Sequence, residues 1–209
     1  MRAHVGGLPH HLVMTRVKQY TSQRFREAMQ MYRTEFPPET RLPVTRVRAL
    51  LRLEQYQLFI VQDTGRVLAM ALLWISVRPA FIHLDYLAVK PEWKGRGIGT
   101  AFYRWLAAHL GDLSPRAQLL TLEVEEELIG FYRRSQTRVL HNVPYLFPAP
   151  HGPIPMHLMV YDRQGRKTLS RAVVQSLIRA LYREIHHRGA NDALLRSFIS
   201  RVPRQVSVV

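Results

Sequence analysis

Residues 89–105 read VKPEWKGRGIGTAFYRW, and this stretch carries most of what the sequence says about the fold. Glycines at alternate positions are interleaved with cations, and an apolar-periodic segment typical of a helix follows directly. The glycines are Gly95, Gly97 and Gly99, and the cations are Lys94 and Arg96. An apolar run typical of a strand precedes the stretch, so the pattern predicts a strand, a tight turn and a helix N-terminus.

The glycine spacing excludes two common phosphate-binding loops. A dinucleotide-binding GxGxxG motif that starts at Gly95 needs glycine at Thr100, and one that starts at Gly97 needs it at Phe102. A Walker loop needs lysine after its last glycine, whereas Gly99 is followed directly by threonine. What remains is a set of backbone N–H groups, free of Cβ obstruction, at the positive end of a helix. Such groups form a site for a pyrophosphate, and nearby cations complement its charge.

This segment resembles the acetyl-CoA pyrophosphate loop of the GNAT superfamily of N-acetyltransferases, whose pattern is Arg/Gln-x-x-Gly-x-Gly/Ala between a strand and a helix. Residues 94–99 read KGRGIG, with lysine in place of the usual first Arg or Gln, and residues 87–92 (LAVKPE) are also similar to the family. The resemblance implies that acetyl-CoA binds here, with its pantetheine arm along the preceding strand. The implied contact residues are Leu87, Ala88, Val89, Lys94, Gly95, Arg96, Gly97, Ile98, Gly99 and Thr100.

A second segment resembles the same family. Residues 122–124 (LEV) end a predicted strand, and Phe131 and Tyr132 follow on a short predicted helix, as in the family segment that carries a tyrosine acid. The family's asparagine before this helix is missing, and residues 136–137 (QT) replace its usual Gly-Phe. The resemblance implies that Tyr132 supplies a proton or a hydrogen bond to the departing CoA thiolate.

Two predicted strands carry polar residues on one face. His83 and Asp85 share a face because strand side chains alternate, and Thr121 and Glu123 repeat the pattern on another strand. An amine with a pKa of about 10.4 must lose a proton before it attacks a thioester. His83, whose ordinary pKa is about 6.5, is the expected base, with Asp85 orienting it or Glu123 acting through water. A buried His–Asp pair without a catalytic role explains His83 and Asp85 equally well.

The order of elements predicts a mixed α/β fold with a central, mostly antiparallel sheet flanked by helices. Short links join three strand patterns, at 57–62, 67–77 and 81–89, which predicts an antiparallel meander. The resemblance implies that the strands carrying Leu87 and Val124 splay apart, with the cofactor on one side and the acceptor on the other.

The C-terminal segment has a different character. Residues 163–209 hold ten Arg or Lys against Glu184 and Asp192, which is +8 of the formal charge of +15. A heptad-like apolar stripe predicts a long helix that stops at Gly189 and packs on the domain or on a second subunit. The stripe consists of Leu169, Val173, Leu177, Leu181 and Ile185. We therefore divide the chain into an acetyltransferase domain, 1–162, and a basic helical extension, 163–209.

The composition limits the class of protein. With 47% hydrophobic and 22% charged residues, the chain lies in the globular range. It contains no cysteine, which excludes disulfides and thiolate-bound metals, and the adjacent histidine pairs at 10–11 and 186–187 lack a third ligand, so we expect no metal. The N-terminus lacks the apolar core of a secretory signal, and no run approaches the roughly 20 apolar residues of a membrane span. We expect a cytoplasmic protein without a membrane partner.

Two functions stay open. The first is acetyl-CoA-dependent transfer of an acetyl group to a primary amine, with the acceptor selected by variable segments such as 36–43 and 141–155. The second is a binding module, in which the basic extension docks nucleic acid or protein on a degenerate acetyltransferase core, with salt-sensitive affinity for nucleic acid. Because the arginines surround a helix that also carries an apolar stripe, we favour a homodimer through the extension over nucleic-acid binding.

Overall fold

The protein divides into two compact units, each with its own strands and helices. The structure, a computed structural model, describes residues 2–4 and 12–209. The first unit runs to residue 75 and includes 84–109, and the second comprises 76–83 and 110–209. The histidine pair at 10–11 lies outside the described residues.

The first unit is built on an antiparallel meander. Its strands are β1 (Arg2–His4), β2 (Leu12–Val17), β3 (Tyr56–Asp63), β4 (Arg66–Val77) and β5 (Ala80–Val89), the last two of which extend into the second unit. They lie in this order in the sheet, and β1 with β2, β2 with β3 and β3 with β4 pair antiparallel. The predicted meander is therefore confirmed, with each of its three strands within one residue of its expected bounds.

Three helices accompany these strands: α1 (Gln23–Glu35), α2 (Val44–Arg52) and α3 (Ile98–Ala108). Ser22 begins α1 because its hydroxyl accepts a hydrogen bond from the Phe25 N–H, as a capping serine does. Short 3₁₀ turns, Pro38–Thr40 and Pro91–Trp93, follow α1 and β5. The second of these turns leads into the glycine-rich segment and then α3.

The second unit joins a small mixed sheet to the C-terminal segment. Its elements are α4 (Leu110–Leu113), β6 (Leu119–Val124), α5 (Glu126–Arg133), β7 (Arg138–Val139), β8 (Leu146–Ala149), β9 (Gly152–Pro155), β10 (His157–Asp162), β11 (Thr168–Ser170), α6 (Arg171–Ala180), α7 (Ala193–Ile199) and β12 (Gln205–Ser207). β10 pairs antiparallel with both β6 and β7, while β8 pairs with β9 and β11 with β12. The start of β5 pairs parallel with β6, through Ile82 with Leu120 and His83 with Thr121.

The C-terminal helix differs from its prediction. Leu169 lies in β11 opposite Val206, so the helix begins two residues later, after Ser170 accepts a hydrogen bond from the Val173 N–H. Val173, a member of the predicted stripe, is 37% exposed, whereas its neighbour Val174 is buried. An α-helix has 3.6 residues per turn, so its covered face does not stay on positions spaced by four. The helix continues as a π-helical turn over Leu181–Ile185, short of the expected end at Gly189.

The apolar side of the C-terminal segment is covered by the protein's own second unit. One buried cluster combines Phe81, Leu119, Leu158 and Val160 with residues of the segment. The segment contributes Leu169, Val174, Leu177, Ile178, Ala180, Leu181, Tyr182, Leu195, Phe198, Ile199, Val202 and Val206. The apolar stripe that suggested a second subunit is therefore largely buried against the chain's own second unit. The domain boundary at residue 162 stays a prediction.

Among residues 2–4 and 12–209, no helix combines the length and the apolar character needed to cross a membrane.

Candidate functional site

The glycine-rich segment forms a left-handed turn at the N-terminus of α3. Gly95 and Gly97 have φ angles of 76° and 79°, in the region that glycine adopts without strain. Gly97 is the N-cap of α3, and its carbonyl accepts the first helical hydrogen bond from Ala101 N–H at 2.9 Å. The N–H groups of Ile98 and Gly99 precede that bond, at the positive end of the helix.

The turn leaves its backbone open to an approaching group. A Cβ added to Gly95 or Gly97 meets no atom within 4 Å. Any side chain at these positions would occupy that space, so the two glycines leave room for a ligand beside the backbone. An open backbone beside a helix N-terminus suits a pyrophosphate.

Both predicted cations of the turn have partners. The Lys94 ammonium lies 2.6 Å from a carboxylate oxygen of Glu35 in α1, and its side chain is 57% exposed. The Arg96 guanidinium lies over the ring of Trp93, 4.9 Å from its centroid. Arg96 therefore brings a positive charge to the turn from a guanidinium that lies over an aromatic ring, whereas the Lys94 charge is balanced in part by Glu35.

Asp85 lies in an aromatic environment in the first unit. The Tyr56 hydroxyl donates a hydrogen bond to the Asp85 carboxylate, and the Tyr56 ring packs edge-on against Trp74 at 5.2 Å. Burial raises the pKa of Tyr56 well above its usual range, and the negative charge of Asp85 raises it further. The structure thus pairs Asp85 with a phenol, and its proposed role in orienting His83 stays a prediction.

A buried polar cluster surrounds Glu123 in the second unit. The Glu123 Oε1 atom accepts hydrogen bonds from the Tyr145 hydroxyl and from Nε2 of His186, the latter at 2.8 Å. The Oε2 atom lies 3.7 Å from Nε2 of His83. Nδ1 of His83 lies 2.9 Å from the Thr121 hydroxyl. The structure thereby brings together two predicted catalytic residues, His83 and Glu123, whose side chains are 1% and 6% exposed.

The charge states of this cluster follow from burial and from its internal contacts. Burial lowers the pKa of His83 to about 4, and the nearby Glu123 carboxylate counteracts this effect in part. Burial alone would raise the pKa of Glu123, but the positive charge and hydrogen bond of His186, with smaller contributions from His83 and Tyr145, lower it to about 2. At neutral pH the cluster therefore combines a neutral His83 with an ionised Glu123.

The tautomer of His83 depends on the direction of its hydrogen bond with Thr121. When the Thr121 hydroxyl donates to the Ile82 carbonyl, 3.3 Å away, its oxygen accepts from His83 Nδ1–H. In that tautomer Nε2 carries the lone pair that a base requires. Nε2 lies 3.7 Å from Glu123 Oε2, beyond hydrogen-bonding distance, whereas Nε2 of His186 lies 2.8 Å from Oε1.

Tyr132 lies on α5 and is buried. A phenol is protonated at neutral pH, and burial raises the pKa of Tyr132 further above its ordinary value. Its ring packs edge-on against Phe131 at 4.8 Å, and its carbonyl accepts a hydrogen bond from the Thr137 N–H. Gln136 adopts a left-handed φ of 62°, so the departure from the family's Gly-Phe is accommodated in a tight turn.

Two members of the cluster were not predicted from the sequence. The sequence shows His186 only as half of an adjacent histidine pair, and Tyr145 lies in an irregular segment between β7 and β8. His186 is 63 residues from Glu123 and Tyr145 is 22 residues from it, so no local spacing indicates the contact. Within the described part of the chain, no group of three or more His, Cys, Asp or Glu could hold a metal ion.

Comparison with known families and proteins gives a consistent result. The model of the acetyltransferase (GNAT) family matches residues 24–136, which include the glycine-rich turn, Glu123 and Tyr132. An uncharacterized protein of Dictyostelium discoideum is 31% identical over 111 residues, which cover 53% of this chain and 25% of that protein. The match thus spans about a quarter of the length of that relative.

Solved structures share the fold. A protein of Bacteroides thetaiotaomicron assigned to the GNAT family of acetyltransferases superposes with a TM-score of 0.69 at 19% identity, over 84% of this chain and 99% of that one. Arabidopsis thaliana NAA60, in complex with acetyl-CoA, superposes with a TM-score of 0.59 at 13% identity, over 73% of this chain and 99% of that one. The ribosomal-protein-S18-alanine N-acetyltransferase of Escherichia coli superposes with a TM-score of 0.52 at 17% identity, over 72% of this chain and 93% of that one. These similarities confirm the predicted mixed α/β fold with its mostly antiparallel sheet.

Proposed function

This chain belongs to the acetyltransferase (GNAT) family, and on that premise we propose that it transfers the acetyl group of acetyl-CoA to a primary amine. The observation that carries the proposal is the open turn at Gly95 and Gly97, which lies inside the matched segment and begins a helix. Acetyl-CoA offers the pyrophosphate that such a turn suits. The complex of Arabidopsis thaliana NAA60 with acetyl-CoA, a protein of similar fold, supports the choice of co-substrate.

We assign acetyl-CoA binding to the end of β5 and the turn that follows. The backbone of Leu87 and Val89 would pair with the pantetheine arm, beside Ala88. Residues 94–100 would hold the pyrophosphate through backbone N–H groups, with Arg96 supplying charge. Lys94 would contribute less, because Glu35 already compensates its ammonium group.

The chemistry requires one proton to leave the amine and one to reach the thiolate. We assign the first transfer to His83, whose Nε2 lone pair accepts the proton directly or through a water. The resulting imidazolium is stabilised by the negative charge of the Glu123 carboxylate 3.7 Å away. The amine nitrogen then forms its bond to the acetyl carbon while the carbon–sulfur bond breaks.

We assign the second transfer to Tyr132. A phenol is protonated at neutral pH, and burial raises the pKa of Tyr132 further, so the hydroxyl holds the proton that it can donate to the leaving sulfur or share with it in a hydrogen bond. A phenolate formed in this way recovers its proton from solvent. The imidazolium at His83 releases its proton to solvent, so a neutral amine and a thioester yield an amide and a thiol. An acceptor that starts as an ammonium releases one further proton to solvent.

The test is a screen of primary amines with release of free CoA thiol as the readout. Polyamines, aminoglycosides, amino acids and peptides with free N-termini form the panel, because the acceptor class is open. We expect at least one amine to give acetyl-CoA-dependent thiol release with a matching acetylated product by mass spectrometry. Failure of every amine, with acetyl-CoA binding intact, would favour the alternative of a binding module on an inactive core.

A homodimer and a cytoplasmic location are separate proposals that rest on the sequence. The apolar stripe of the extension is largely buried within its own unit, so a dimer would have to use the exposed cations and a residue such as Val173. Light scattering measures the mass directly. The absence of cysteine agrees with a reducing compartment.

A further inference from the structure

We propose that His186, from the C-terminal extension, is a positioning residue for acetyl transfer, which it serves by fixing the Glu123 carboxylate so that its second oxygen faces His83. The inference rests on the proposed function and adds a role for a segment beyond the family match, which ends at residue 136. It assigns to the extension a part in the chemistry rather than in binding another molecule.

The geometry separates the two oxygens of Glu123. Oε1 accepts from Nε2 of His186 at 2.8 Å and from the Tyr145 hydroxyl, which itself lies 3.2 Å from the same nitrogen. A neutral Nε2 without hydrogen would place a lone pair against a carboxylate oxygen, so Nε2 carries the proton. Oε1 is therefore held by two donors, and Oε2 is the oxygen that faces His83.

His186 is itself held from several directions. Its ring packs edge-on against Tyr182 at 5.6 Å and against Phe147 at 4.9 Å. Tyr182 is buried on the π-helical turn and donates a hydrogen bond to the Leu146 carbonyl. The packing of the extension thus sets the position of the imidazole, and the imidazole sets that of Glu123.

A buried carboxylate needs such partners to stay ionised. The titratable groups that face Glu123 are His83 from β5, His186 from the extension, and the phenols of Tyr145 and Tyr182. Loss of His186 removes the donor whose favourable effect on the charged form is the largest among them. Without His186, Glu123 loses this stabilisation of its charge and the contact that turns Oε2 toward His83, so the extension would act on the base at a distance.

The first experiment needs no acceptor. Protein labelled with ¹³C at the glutamate carboxyl carbon is titrated by NMR, and the Glu123 resonance is assigned by its loss in Glu123→Gln. In His186→Ala we expect the Glu123 midpoint to move to higher pH by about one pH unit or more. His186→Gln, which keeps an N–H donor near the position of Nε2, should return part of that change. His187→Asn, an exposed neighbour with a left-handed φ of 51°, is the matched control and should leave the midpoint unchanged.

The second experiment uses the amine identified in the screen. His186→Ala should lower kcat about tenfold or more while the Kd for acetyl-CoA, measured by calorimetry, stays at the wild-type value. His186→Gln should recover part of kcat. A purely structural role predicts instead a loss that follows the unfolded fraction and no rescue by glutamine.

The proposal is overturned if folded His186→Ala protein shows both an unmoved Glu123 midpoint and wild-type kcat. Should His186→Ala not fold, His186→Leu, which fills much of the space of the ring without supplying a donor, takes its place in both experiments with the same expected outcome. Absence of acetyl-CoA binding in the wild-type protein would instead overturn the proposed function, and the NMR titration would still report on His186.

Discussion

The glycine-rich turn and the cluster around Glu123 use different physics. The turn is made of consecutive residues, and its chemistry lies in backbone N–H groups and in φ angles near +80°. The cluster gathers side chains from β5, β6, an irregular segment and the C-terminal extension, and its chemistry lies in charge states. Ligand binding at the turn should therefore be sensitive to any added Cβ, whereas the charge states of the cluster should be sensitive to loss of a single proton donor or acceptor.

The largest effect is expected in the cluster, at His83. His83→Asn keeps a donor near the position of Nδ1 for Thr121 but removes Nε2. We expect kcat to fall by about 10² to 10⁴, because general base catalysis is worth about this much, with an unchanged Kd for acetyl-CoA. Single-turnover kinetics on the identified amine measure the chemical step. A wild-type rate would show that catalysis by positioning suffices and that His83 is a structural residue.

The next effect concerns Tyr132. Tyr132→Phe keeps the buried ring and removes the hydroxyl, so a transition-state interaction is lost while ground-state binding is kept. We expect kcat to fall about 100-fold, again with little change in the Kd for acetyl-CoA. Phe131→Leu on the same helix is the control for packing. Equal turnover in Tyr132→Phe and wild type would remove this tyrosine from the mechanism.

The turn should respond more weakly to loss of a side chain. Arg96→Ala removes an exposed cation and should raise the Kd for acetyl-CoA by about threefold to tenfold, because backbone N–H groups still hold the pyrophosphate. Titration calorimetry at two salt concentrations measures the effect. Lys18→Ala removes a similar exposed charge far along the sequence and should leave the Kd unchanged. If Arg96→Ala loses more affinity for acetyl-CoA than Gly97→Asn does, charge rather than access to the backbone dominates binding at the turn.

The buried cluster should also affect stability. The folded pKa of His83 is about 4, below the ordinary value of about 6.5, so its contribution is complete above pH 6.5 and is lost as the pH falls toward 4. Glu123, with a lowered pKa of about 2, adds a loss below pH about 4.5 in the same direction. We expect the free energy of unfolding by urea to fall by about 1 to 3 kcal/mol between pH 6.5 and 4.

Two variants sharpen this expectation. His83→Asn should flatten the pH dependence between 6.5 and 4, whereas His151→Asn, an exposed loop histidine, should not. An equal slope in His83→Asn and wild type would show that His83 is charged in the folded protein.

Sequence reasoning predicted the turn well because its information is local. The meander follows from apolar runs with short links, and the turn from glycines next to a helix pattern. Only part of the cluster could be predicted. Strand alternation indicates His83 and Glu123, but Tyr145 and His186 are far from Glu123 in the sequence and contact it only in the folded chain.

The same reason explains the errors in the extension. β11 and β12 are three residues each, and Leu169 meets its partner Val206 only after two helices have intervened. An apolar stripe shows that a helix is covered but does not identify what covers it. In this protein the stripe packs inside its own unit, and the dimer that it suggested stays a prediction.

The central claim is that the turn at Gly95 and Gly97 holds acetyl-CoA through its backbone. Asparagine tolerates a left-handed φ, so Gly97→Asn should keep the turn while filling the open space. Gly165→Asn is the matched control, since Gly165 also has a left-handed φ, 65°, and open space around a Cβ. Titration calorimetry with acetyl-CoA should show wild-type affinity in Gly165→Asn and at least a tenfold loss, or about 1.4 kcal/mol, in Gly97→Asn. Wild-type affinity in a folded Gly97→Asn protein would contradict the assignment.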